Sequence, residues 1–241
     1  MILAWYTYNM KKIGSGVQYN VYDLGNGRVQ KIETSLVEKI IRFNAIAAKY
    51  KMYLHPIHNI KTCIEAGKQT HASMDYLKKH GKNIDLSLIG NPTIKNDGYE
   101  QDTTSPLGEV LYSSNFVKQK ELINEYMENM LCSWDYGFSD TVFNFMINSG
   151  VTEGGRVILI DLGELTWDKN EIYELVKNKH WEKRSSFNRL KNIELKNYIR
   201  EQFSERLTLS NLDKRWGSKL SNLSSPITHY VAQNFGSYSK P

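Results

Sequence analysis

Apolar and polar positions change rhythm several times along the chain, and each change marks an element. From residue 1 to 32 the apolar positions come in short alternating runs cut by glycine turns. Ile13-Gly14-Ser15-Gly16-Val17-Gln18-Tyr19-Asn20-Val21-Tyr22, then Gly25-Asn26-Gly27, then Val29-Gln30-Lys31-Ile32 read as a strand-rich sheet. At Ser35 the period becomes helical: Leu36, Ile40, Phe43 and Ala47 recur on one side, and Ser35 with Glu38 forms a capping box. A loop over Leu54–Lys61, holding His55, Pro56 and His58, leads to a second helix from Glu65 towards Lys79. Ile84–Ile89 alternates like a strand and ends in the turn Gly90-Asn91-Pro92. Residues 95 to 106 are polar and turn-rich, which places a boundary between two lobes there. Beyond it, Phe116, Leu122, Ile123, Tyr126, Met127 and Met130 mark a long amphipathic helix over Ser114–Met130.

Two fully apolar runs follow, Asn144-Phe145-Met146-Ile147 and Val157-Ile158-Leu159-Ile160-Asp161-Leu162, with Ser149-Gly150 and Gly154-Gly155 between them. They predict a hairpin. Helices are expected over Glu171–Lys179, Ser186–Gln202 and Ser210–Leu220, anchored by Trp181 and Trp216, and then a loosely packed tail.

Composition narrows the class. With 40% apolar and 12% aromatic residues among 241, the chain is expected to fold, and no apolar run nears the roughly 18 residues of a membrane span. The N-terminus, Met1-Ile2-Leu3-Ala4-Trp5-Tyr6, lacks a basic leader and reads as structure. Cys63 and Cys132 match no metal spacing, so two reduced, packed thiols in a cytoplasmic protein are expected. The net charge of +5 comes from the C-terminal helices, where 13 Lys/Arg meet 8 Asp/Glu between Asp168 and Leu220. Such interspersed charge reads as a solvated helix face more readily than as a nucleic-acid surface.

Candidate chemistry sits at the ends of the apolar runs. A hairpin brings the start of one strand beside the end of the other, so Asn144 and Asp161 would meet as oxygen ligands for Mg²⁺; two unrelated strand-end residues are the plainer alternative. Gly14 and Gly16 would let the backbone approach phosphate oxygens, and Lys31 on a following strand would neutralise them. Without a ligand the same residues make a tight hairpin and a lysine snorkelling to the surface.

In this order the pieces resemble the protein-kinase-like superfamily, which includes aminoglycoside and other small-molecule phosphotransferases, over roughly residues 10 to 165. Gly14-Ser15-Gly16 followed by Val21 resembles its glycine-rich loop, and Val29-Gln30-Lys31 its lysine strand. Asn144–Ile147 resembles the end of its catalytic loop, and Asp161-Leu162-Gly163 its Asp-Phe-Gly motif. The resemblance implies an α+β, two-lobed fold. Residues 1–104 would form a nucleotide-binding lobe, an antiparallel sheet with helices; 105–220 a mainly helical lobe carrying the metal hairpin; and 221–241 a tail. It implies ATP and Mg²⁺ as cofactors and a hydroxyl acceptor, on a small molecule or an atypical protein. Gly14, Ser15, Gly16, Val21 and Lys31 would hold the nucleotide, with Glu38 or its rival Glu65 pairing with Lys31. Asn144 and Asp161 would hold the metal, and Asp140 would take the acceptor proton. An adenine-binding hinge would fall near Tyr99–Asp102.

The chain also departs from the family pattern. Ser139 stands where the family has its catalytic aspartate, so Asp140 needs a loop shortened by one residue; the usual histidine is missing. Tyr19 replaces the third glycine, and no long activation loop follows Glu164. These departures leave two alternatives standing: a pseudokinase-type interaction module, and nucleotidyl transfer from the same site.

Overall fold

The computed structural model describes residues 10–49 and 56–220. The expectations for the N-terminal run, the Leu54–His55 part of the loop and the tail lie outside the described residues. The fold is α+β, with an antiparallel sheet first and helices dominating afterwards. Strands β1 (Lys11–Ser15), β2 (Tyr19–Asp23), β3 (Arg28–Glu33), β4 (Thr93–Lys95) and β5 (Gly98–Asp102) form one sheet in the order β1-β2-β3-β5-β4. Its register puts Gly14 opposite Val21, Val21 opposite Lys31, Lys31 opposite Tyr99, and Tyr99 opposite Ile94. Directly opposed residues share a face, so this row crosses the whole sheet on one side.

Two segments correct the sequence reading. The polar stretch at residues 95 to 106 is not a loop: β5 is a central strand, and Tyr99 is fully buried. Gln101 is buried too, its amide donating to the Ile89 and Leu159 carbonyls. A strand that buries Tyr and Gln looks polar in sequence, because its buried amide is satisfied by backbone carbonyls. The hinge expected at Tyr99–Asp102 therefore lies inside the sheet. Conversely, Ile84–Ile89 is no strand: Leu86–Ile89 winds as a 3₁₀ turn capped by Asp85, whose carboxylate accepts from the Ser87 N–H, and closed by Gly90 at φ +71°.

Helix α1 (Leu36–Lys49) starts at the expected Ser35 cap, whose hydroxyl accepts from the Glu38 N–H at 3.3 Å. Helix α2 (Pro56–His80) begins nine residues before Glu65 and takes up Pro56 and His58. A proline is tolerated there because the first helical N–H groups have no intrahelical partner. Strand β6 (Thr104–Pro106), helix α3 (Leu107–Ser113) and helix α4 (Phe116–Asp135, capped by Asn115) follow. The expected stripe Leu122, Ile123, Tyr126, Met127 and Met130 is buried, joined by Trp134.

The hairpin exists but is displaced. Asn144–Ile147 is not its first strand; Phe145–Asn148 is a helical turn, α5, between β7 (Ser139–Asp140) and β8 (Ser149–Thr152). Strand β8 pairs with β9 (Val157–Leu159) on one side and β6 on the other. After the 3₁₀ turn Leu162–Glu164 and β10 (Leu165–Thr166) come α6 (Lys169–Lys177), α7 (Ser185–Asn188), α8 (Ile193–Arg206) and α9 (Leu209–Arg215). The helix expected over Ser186–Gln202 thus breaks in two, because Asn192 caps a new start by accepting from the Glu194 and Leu195 N–H groups.

One apolar core runs from Tyr19 through α4 to Leu212, with Trp181 packed edge-on against Phe187 and Phe203. Several charges of the basic C-terminal segment are paired, among them Lys169 with Asp213 and Arg206 with Glu128. Arg215 holds Asp135 through two bonds of 2.8 and 2.6 Å. Cys63 and Cys132 are both free thiols. No described helix is long and apolar enough to cross a membrane.

The sheet row depends on Gly98. A Cβ there would lie 1.9 Å from the Lys31 carbonyl oxygen, whereas at Gly16 it would meet nothing within 4 Å. Gly98→Ala is therefore expected to destabilise the protein by about 3 kcal/mol or more, and Gly16→Ala by less than about 1 kcal/mol. Urea unfolding of the two variants measures the difference, and equal midpoints would contradict this packing.

Candidate functional site

Lys31 is the first side chain of the site. It leaves the middle of β3 with Val21 and Tyr99 beside it, its Nζ lying 5.3 Å from the centre of the Tyr99 ring. The amine donates to the Ile160 carbonyl, which also accepts the Tyr99 hydroxyl at 3.3 Å. Burial lowers the Lys31 pKa to about 8, while the negative charge of Asp161 acts in the opposite direction. An early strand lysine and the late carboxylate thus share one environment.

Asp161 caps the Leu162–Glu164 turn, its Oδ1 accepting from the Gly163 N–H at 3.0 Å. Gly163 sits where nothing larger fits. A Cβ would lie 2.4 Å from Thr70 Oγ1 on α2 and 2.9 Å from Gln18 Oε1 in the glycine turn. Thr70 donates to that same Gln18 oxygen at 2.5 Å. The glycine turn, α2 and the Asp161 turn therefore close on one another.

Asp140 lies deeper. It is 1% exposed, with Oδ1 accepting from the Val142 N–H at 2.9 Å and Oδ2 without a hydrogen-bond partner. Burial, reinforced by Asp161, raises its pKa to about 7, and the nearby Asn148 amide pulls weakly the other way. Glu164, brought alongside by the β7–β10 pairing, is pushed up to about 8 by burial and by the charges of Asp161 and Asp140. Asp161 thus acts electrostatically on Lys31, Asp140 and Glu164 alike. Next to Asp140, the fully buried Phe143 takes φ +49°, a left-handed strain uncommon outside glycine and tied here to the loop carrying the aspartate.

Asn144 is engaged by the later chain. Its Oδ1 accepts from the Ser186 hydroxyl and, at 3.4 Å, from that of Ser185, which fills the oxygen's two lone-pair positions. The missed residue is Asn148, the last of α5, whose backbone carbonyl accepts from the Ile160 N–H at 2.8 Å, directly before Asp161. Its signal was available in principle, as the asparagine immediately preceding a strand. Arg184 was not singled out either, whereas Glu164 stood out in the sequence as a supplement to the metal site or a turn cap. Among the described residues no three His, Cys, Asp or Glu side chains form a ready-made metal cage.

Neither expected glutamate pairs with Lys31. Glu38 binds Arg42 at 2.5 Å, and Glu65 is exposed. Arg42 in turn donates to the Gly16 carbonyl at 2.7 Å and to Asn20 Oδ1 at 2.8 Å, so Glu38 acts on the glycine turn through Arg42. Neither Gly14 nor Gly16 has a positive φ, and a Cβ on Gly14 would make only ordinary contacts with Val21. The fold itself does not demand glycine at either position. Ser15 is exposed at the end of β1. A shallow depression lined by Gln69, Ala72, Ser73, Thr166 and Trp167 lies on the α2–β10 contact and not at Lys31.

The raised carboxyls carry a pH signature. A carboxyl whose folded pKa exceeds its unfolded value costs nothing below the unfolded pKa, and costs progressively more as pH rises towards the folded one. For Glu164 that window runs from its ordinary value of 4.5 to about 8. Glu164→Gln should therefore raise Tm little at pH 4.5 and more at pH 8; a pH-independent difference would contradict the raised pKa. Compared with known proteins, the chain matches no protein-family model and no curated sequence.

Proposed function

We propose that the protein is an ATP-dependent phosphotransferase of protein-kinase-like fold, acting with Mg²⁺ on a hydroxyl acceptor. The observation that carries this reading is the shared environment of Lys31 and Asp161, with the buried Asp140, its pKa raised to about 7, alongside. An antiparallel sheet ahead of a helical region, with a glycine turn in the same sheet row as the lysine, supports it.

Phosphoryl transfer needs a triphosphate held in place, its charge neutralised and an oxygen aimed in line. The backbone around Gly14 and Gly16 would cover the β- and γ-phosphates, where side-chain-free positions leave room for close approach. Lys31 would turn from the Ile160 carbonyl to the α/β oxygens. The Asp161 carboxylate and the Asn148 amide oxygen are donors suited to a hard cation; these two would hold Mg²⁺, which typically keeps one or two carboxylates plus phosphates. When bound it supplies charge neutralisation. The acceptor oxygen attacks the γ-phosphorus, the bond to the β-phosphate oxygen breaks and ADP leaves. The hydroxyl proton passes to Asp140 Oδ2, which no hydrogen bond engages. A base with a pKa near 7 is matched to that transfer at neutral pH.

The interaction-module reading has its own support in the exposed Val37 and Ile41 on α1 and Ile60 and Ile64 on α2, each pair one helical turn apart. Calorimetric titration separates the two. Mg·ATP should bind the wild type and not Asp161→Asn; indifference of the wild type to ATP would select the interaction module. For the enzyme, Lys31→Ala should lower turnover by roughly two decades or more, the size typical of a lost electrostatic contact. Mass spectrometry of the incubated protein and acceptors distinguishes added phosphate from added AMP, and AMP would replace phosphoryl with nucleotidyl transfer.

A further inference from the structure

Arg184 is a charged group of the site that the proposed chemistry leaves unused. It closes the 3₁₀ turn His180–Lys183 and opens α7, directly before the Ser185 and Ser186 hydroxyls that hold Asn144. Its Nη2 meets His180 Nδ1 at 3.0 Å, while its Nε is buried and has no hydrogen-bond partner. Its charge acts on both Asp140 and Glu164, yet among the described residues it forms no ion pair with either.

A guanidinium near two carboxylates normally collapses into a forked pair, two parallel N–H···O bonds. Here His180 takes one edge of the group and the turn holds it back. What remains is a cation with an unused donor, in the neighbourhood of the carboxyl that would receive the acceptor proton. An anion bound between them would satisfy the buried Nε–H and would sit where the transferred group must pass.

On the phosphotransferase reading, we infer that Arg184 binds a phosphoryl anion at the acceptor side of the site. That anion is either the γ-phosphate of the nucleotide or a phosphate already carried by the acceptor. Both sources offer the same oxygens to a guanidinium, and they are separable by experiment.

The test follows the Arg184 Nε–H signal by NMR, assigned through its loss in Arg184→Lys, alongside calorimetry of the full-length protein. If the γ-phosphate is the ligand, Mg·ATP shifts the signal and Mg·ADP does not, and Arg184→Ala weakens ATP roughly ten- to a hundredfold with ADP unchanged. If an acceptor phosphate is the ligand, inorganic phosphate added to the Mg·ADP complex shifts the signal, and Arg184→Ala abolishes phosphate binding while sparing both nucleotides. A signal unmoved by ATP and by phosphate, in a protein that binds Mg·ADP, overturns the inference while leaving the phosphotransferase reading intact. Failure of both nucleotides to bind, with inorganic phosphate still shifting the signal, defeats the nucleotide reading and retains the anion site.

Discussion

Burying a lysine amine is tolerable only if something accepts its protons and offsets its charge. In this fold Lys31 meets that requirement outside its own sheet, at the Ile160 carbonyl and in the field of Asp161. The sheet and the β8–β9 hairpin are thereby fixed against each other at the point where the hairpin ends. Tyr99 reinforces the joint, with its ring under the amine and its hydroxyl on the same carbonyl. No glutamate from a helix is needed to orient the lysine, which explains why Glu38 is free to pair with Arg42.

The second constraint is electrostatic crowding. Burial, reinforced by the charge of Asp161, raises Asp140 to about 7 and Glu164 to about 8. The chain offsets this repulsion with backbone N–H groups, from Val142 to Asp140 and from Gly163 to Asp161, and with the Thr141 hydroxyl near Glu164 at 3.4 Å. These are local turn contacts. They orient the carboxylates without neutralising them, while the charge of Arg184 acts on Asp140 and Glu164 from outside these turns.

Legibility in the sequence followed the scale of the signal. The glycine turns, the β3 lysine, the α1 cap and the α4 stripe were readable because each rests on residues close in sequence: turn chemistry, a capping box, a helical period. Strand β5 was not, since Tyr99 and Gln101 are buried by partners distant in the chain and carry no apolar alternation. Asp161 was placed correctly at the end of an apolar strand. The strand expected after Asn144 is a helical turn instead, because a four-residue apolar run is compatible with either, and contacts from the later chain at Ser185 and Ser186 hold it.

That helical turn also reinterprets the misplaced aspartate. Counted to Asn144, the loop after Asp140 looked one residue short of the family spacing. Counted to Asn148, the loop is longer, and the extra residues are the α5 turn, preceded by Phe143 in its left-handed conformation. A longer connection can place Asp140 in a two-residue strand against β10, buried beside Glu164, and still deliver an amide to the start of β8. A shortened loop would have had to stretch between those two points. The α5 turn thus sets a strand-end amide against a buried carboxyl, a relation between residues eight apart that no local pattern of the sequence announces.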